Sequence, residues 1–143
     1  MAVQVKPATS ADKARCLELV SQLVGRDAEP EWRRVYDALL TGERGEVLVA
    51  HEDGRVLGVA TVSYNLAIRY SGEYCQLEEL IVDPDARGKD VGGLLVRGTL
   101  ARAKARGCAE YGLYLVESTE GNRPFYEKQG IRFVGSEMRA DLR

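Results

Sequence analysis

The sequence predicts an α/β (α+β) fold: a mixed central sheet of about six strands with flanking helices, in the order βααβββαβαβ, forming one domain over residues 1–143. Three observations carry this. Glu46 to Ala50 and Val56 to Tyr64 are β-branched, apolar runs separated by a tight turn, which makes an antiparallel hairpin. From Leu77 to Leu95 an apolar strand passes through a basic, glycine-containing loop directly into an amphipathic helix. That helix leads to another strand, Tyr111 to Val116, so this half is a parallel, right-handed βαβ unit.

In chain order, Val3 to Pro7 alternates and reads as a short strand. Thr9 and Asp12 form a capping box for a first helix with Cys16, Leu17, Val20, Leu23 and Val24 on one face and Gly25 at its end. A second helix after Pro30 carries a stripe of Trp32, Val35, Tyr36, Leu39 and Leu40, read as core. The turn between the hairpin strands is Asp53-Gly54. After a Ser71-Gly72 turn, a further strand runs from Tyr74 to Val82 and stops before Pro84. The next helix, Val91 to Arg106, buries Val91, Leu94, Leu95, Gly98 and Ala101 and ends at Gly107. Pro124 starts a short helix closed by Gly130, and Ile131 to Leu142 forms a last strand.

Composition narrows the function classes. With 45% hydrophobic and 29% charged residues and a net charge of -2, the chain offers no bulk electrostatic case for nucleic acid, so a small partner is expected. No long apolar run supports a membrane span or signal peptide, and three scattered cysteines without a CxxC pair suit reduced thiols in a cytoplasm. His51 is the only histidine, which excludes a His-rich zinc site; no metal is expected. Neither GxxxxGK[ST] nor GxGxxG occurs, which counts against a nucleotide-binding domain.

The chemistry gathers at the loop. A helix start presents N–H groups without intrahelical partners and a partial positive charge, so an anion gains there twice. Gly88, Gly92 and Gly93 lack the Cβ that would keep a ligand off the backbone, and Arg87 and Lys89 add charge. The plainer alternative is a βα turn whose glycines serve chain reversal only.

With the loop, the PFYEKQG segment and this strand order together, nearly the whole chain resembles the GNAT superfamily of N-acetyltransferases. The family signature, Arg/Gln-x-x-Gly-x-Gly/Ala at the start of a helix after the fourth strand, is matched by Arg87-Gly88-Lys89-Asp90-Val91-Gly92, with Asp90 in place of the middle glycine. Phe125-Tyr126-Glu127-Lys128-Gln129-Gly130-Ile131 is similar to the family's FYxxxGF segment. Acetyl-CoA is the implied cofactor, its pyrophosphate on the N–H groups from Arg87 to Gly93 and its pantetheine arm along Leu80, Ile81 and Val82, where two strands splay apart. Similar proteins often carry an asparagine where this chain has Thr119; Asn122, three residues later, is not taken as its equivalent and is expected to be only a weak cofactor contact.

Amine acetylation needs a neutral nucleophile and a proton for the leaving sulfur. The resemblance implies Tyr126 as the proton donor. Glu78, slightly preferred, or Glu79 would take the amine proton, and strand alternation turns the two to opposite faces unless a bulge intervenes. Cys75 and Cys108 read as packing thiols. The expected activity is direct transfer to a primary amine of a small molecule or peptide in a ternary complex. The alternative is a non-catalytic acyl-CoA-binding module of the same fold. Homodimers are common in this superfamily, so the resemblance leaves a homodimer open beside a monomer.

Overall fold

The computed structural model describes residues 2–143. The strands are β1 (Gln4–Pro7), β2 (Gly45–Glu52), β3 (Arg55–Ala67), β4 (Gly72–Val82) and β5 (Tyr111–Leu113); the α-helices are α1 (Lys13–Val24), α2 (Pro30–Leu40), α3 (Val91–Arg106) and α4 (Arg123–Lys128). They form one sheet in the order β1-β2-β3-β4-β5, with the first four strands antiparallel and β5 parallel to β4. The element order agrees with the sequence reading up to its last strand.

Local signals act as their chemistry requires. Thr9 and Asp12 complete a capping box over the turn Ser10–Asp12 that leads into α1, and Gly25 closes the helix at φ 73°. Asp53 and Gly54 both take positive φ, 52° and 79°, the backbone of a two-residue hairpin turn.

Two apolar layers enclose the sheet. On one face Cys16, Leu19 and Tyr36 of α1 and α2 pack against Val47, Val49 and Val59. On the other, Val91, Leu95 and Ala103 of α3 pack against Leu48, Ala60, Val62, Cys75 and Leu77. The helix phases differ from those expected. In α1 Leu19 is fully buried while Leu23 and Val24 lie at the surface; in α2 Val35 is exposed and Tyr36 alone is buried. Trp32 is only half-buried, its indole N–H bonded to Glu29 at 3.2 Å and Arg26 over its ring. In α3 the buried set is Val91, Gly93, Leu95, Val96, Thr99 and Ala103, so Ala101 faces out.

The expected strand from Ile131 to Leu142 does not form: residues 131–143 have no regular structure, and the sheet has five strands. Phe133, Val134, Met138 and Leu142 are exposed, so no core contact fixes this segment on the outer edge of β5. Its side-chain contacts are surface ones: Arg123 stacks on Phe133 and Arg139 on Tyr114.

Arg106, at the end of α3, joins the two halves of the chain. Its guanidinium donates to the carbonyls of Gly42 and Glu43, pairs with Glu73 and lies 3.9 Å from the centroid of Tyr64.

Candidate active site

Glu78 is the structural pivot. The β3–β4 ladder pairs Thr61 with Glu79 and Val62 with Leu77, so Glu78 is an extra, unpaired residue: a β-bulge. One added residue moves every later side chain across the sheet. Leu77 and Leu80, three apart, therefore both pack toward α3, while Ile81 faces α1 and α2. The consequence corrects the simple alternation: Glu78 and Glu79 project from the same face. Glu79 accepts from the Thr61 hydroxyl and its own N–H donates to Thr61 Oγ1 at 3.1 Å; Glu78 accepts from Ser63 Oγ at 2.6 Å.

These environments separate two chemically identical groups. Glu79 is half-buried, and desolvation raises its carboxyl above the ordinary range, opposed by the Thr61 hydrogen bond and aided by the charge of Glu78. Glu78 is exposed. Thr61, Ser63 and Asn65 escape a motif search, although their polar period of two on an otherwise apolar strand marks them as one row.

The sheet opens at the level of the bulge. β4 and β5 pair only from Cys75–Tyr111 to Leu77–Leu113, so Glu78 to Val82 have no β5 partner. The strand expected to reach Val116 stops at Leu113 because the chain diverges there. A wedge results, with backbone polar groups of Leu80, Ile81 and Val82 along one wall, which suits an extended, amide-bearing ligand arm.

At the wedge's end lies the start of α3. The first bond across its leading turn runs from Leu94 N–H to Asp90 O at 2.9 Å, so the amides of Val91, Gly92 and Gly93 precede the helical ladder. Gly88 takes φ 83° and Asp90 φ 55°. The second value gives the physical reason for a glycine at this position in similar proteins; Asp is among the few other residues that tolerate it. The Asp90 side chain turns back along the helix. It pairs with Arg97 at 2.7 Å and lies against Gly93, where a Cβ would meet its Oδ1 at 2.3 Å. Arg97 also bonds Gln129 just past α4, at 3.1 Å. A Cβ on Gly92 would stand 3.4 Å from Phe125 Cζ, so this glycine brings α4 close to the loop. Lys89 pairs with Glu52 at 2.5 Å, whereas Arg87 is exposed and, among the described residues, has no carboxylate partner.

Tyr126, on α4, packs at the margin of the α3-side core, and burial raises its phenol above the usual value. It is a proton donor at neutral pH. Asn122, the residue before α4, is exposed and makes no side-chain cap. Burial pushes Cys16 up to about 11 and Cys75 up to about 12, and raises Cys108, so none is an activated thiolate.

Comparison with known proteins bears on the family and the fold. Residues 13–131 match the model of the Acetyltransferase (GNAT) family. A glucosamine 6-phosphate N-acetyltransferase of Trypanosoma brucei brucei is 31% identical over 90 residues, covering 62% of this chain and 59% of the relative. The chain thus aligns with somewhat over half the length of that curated relative. Among solved structures, a transcriptional regulator from Bacillus halodurans C-125 superposes with TM-score 0.87 at 21% identity, covering 98% of this chain and 99% of that one. Glucosamine-6-phosphate N-acetyltransferase from Arabidopsis thaliana gives TM-score 0.81 at 22% identity, with 100% of both chains covered. At those identities the two structures speak for the fold.

Proposed function

The chain belongs to the acetyltransferase (GNAT) family, and from that membership we propose that it is an acetyl-CoA-dependent N-acetyltransferase that passes an acetyl group directly to a primary amine in a ternary complex. The observation that carries the reading is the bulge at Glu78, which lies where the β4–β5 wedge opens and turns two carboxylates to one face. Acetyl-CoA supplies the acetyl group as a thioester.

The amides of Val91, Gly92 and Gly93, with Arg87, bind the pyrophosphate, and the free edge of β4 from Leu80 to Val82 orients the pantetheine arm. On the opposite face Glu79 takes the proton of the amine: desolvation raises its pKa and makes it a stronger base than a free carboxylate. Glu78 adds negative charge that attracts an ammonium ion to the site. Tyr126, kept protonated by burial, gives its proton to the departing sulfur.

An amino sugar phosphate is the first acceptor to try, because the trypanosomal relative bears the name of a glucosamine 6-phosphate N-acetyltransferase. We propose a homodimer as well, supported by the exposed apolar residues of the 131–143 segment beside the unpaired outer edge of β5.

The enzymatic reading is tested by incubating the protein with acetyl-CoA and a panel of amines while following free thiol and acetylated product. Wild type is expected to turn over at least one amine, with Glu79→Gln and Tyr126→Phe each slower by roughly 10²-fold or more. Tight acetyl-CoA binding without turnover on any amine would favour the non-catalytic module.

A further inference from the structure

The row that holds the two glutamates continues past them. Thr61 pairs with Glu79, Ser63 with Gln76 and Asn65 with Tyr74, all projecting from the face opposite α3. Asn65 Nδ2 bonds Ser63 Oγ at 3.0 Å, and Ser63 bonds Glu78 at 2.6 Å, so the polar groups form one connected track. Leu39 of α2 lies over Gly45, the partner of Ser63.

At the far end stands Arg69. It lies 4.6 Å from the centroid of the Tyr70 ring and 5.5 Å from that of Tyr74. Tyr70 is itself held by a hydrogen bond to Glu110 at 2.7 Å. The nearby Glu110 carboxylate is thus engaged by the phenol, and among the described residues no carboxylate lies within salt-bridge distance of Arg69. The result is an exposed guanidinium, stacked against two rings and, among the described residues, in no salt bridge, on the same face as two carboxylates.

We infer that Arg69 seats an anionic group of the acceptor while Glu78 and Glu79 hold its amine, so that the acceptor class is a small amine carrying a phosphate. This rests on the acetyl-transfer reading above. The layout supports it: from Glu78 to Tyr74 is four residues of strand, roughly 13 Å, and the Glu78 carboxylate at Ser63 Oγ and the Arg69 side chain over Tyr74 both reach into that span. A phosphorylated amino sugar likewise carries its ammonium and its phosphate at opposite ends. Guanidinium is suited to this task, because its planar fork matches phosphate and stacking restricts its motion before the ligand arrives.

Calorimetric titration of the full chain with glucosamine 6-phosphate and with glucosamine, on wild type, Arg69→Gln and Arg69→Lys, tests the assignment. Wild type is expected to bind the phosphorylated amine at least 10-fold more tightly than the neutral sugar, Arg69→Gln to abolish that preference and Arg69→Lys to restore part of it. Inorganic phosphate should weaken binding of the phosphorylated amine to wild type and leave glucosamine unaffected, a readout that does not require the variants to fold. Equal affinity of wild type for the two sugars, or a preference that survives in Arg69→Gln, would overturn the inference. If the preference holds but no acetyl transfer to either sugar occurs, the anion seat stands and the enzymatic reading is what fails.

Discussion

At the residue scale Glu79 and Asp90 carry the most consequence. The Glu79 carboxyl is raised in the folded chain, so between the ordinary carboxylate value and its own the folded state binds more protons than the unfolded one. Its contribution to stability is present below that window and lost as pH rises through it. Denaturant midpoints from about pH 4 to pH 7 should therefore show wild type losing ground to Glu79→Gln as pH increases; a constant difference would reject the shift. Activity should move the other way, falling as pH drops through the same pKa, because the proton acceptor must be ionised. For Asp90, substitution by either Gly or Ala removes the ion pair to Arg97, but Gly keeps the positive φ accessible whereas Ala is strained there by about 1 kcal/mol. Thermal melts should rank Asp90→Ala below Asp90→Gly, and Asp90→Gly should bind acetyl-CoA more tightly by removing a carboxylate from the helix start.

At the element scale, what could be read from the sequence was what depends on neighbours in the chain. Thr9 with Asp12, Asp53-Gly54, Gly25 and the loop into α3 are local chemistry and appear where their residues require. The helix faces were less legible because burial depends on tertiary packing: Leu19 is core through its contact with the sheet, and Ala101 is solvent-facing although its helix is amphipathic in spacing. The bulge has no sequence signature of its own. It is visible only once Leu77 and Leu80 are seen on one face, and with it come the shared face of the glutamates and the roles of Thr61 and Ser63. Where α3 meets the sheet, Leu95 is fully buried, and Leu95→Ala should cost about 2–5 kcal/mol in denaturant unfolding without altering the slope of the transition.

At the scale of the whole molecule, the sheet is well covered on both faces in its centre and open at the β5 side, where the expected sixth strand is absent. Light scattering coupled to gel filtration should give about twice the 15.8 kDa chain mass if the exposed 131–143 segment meets a second copy. Removing the residues after Gly130 should return the monomer; a full-length chain that is monomeric at high concentration would reject the proposed dimer.

The contacts of Arg106 bear on how such a molecule comes apart. One guanidinium joins the turn between α2 and β2 to the end of α3 and to both strands of the β3–β4 hairpin. The helix that begins at the proposed cofactor loop therefore cannot fray from its far end without also releasing a turn some sixty positions earlier in the chain. Amide hydrogen exchange in those two regions should share one opening process in the wild type and separate into two in Arg106→Ala. A single surface arginine would then set the size of the cooperative unit.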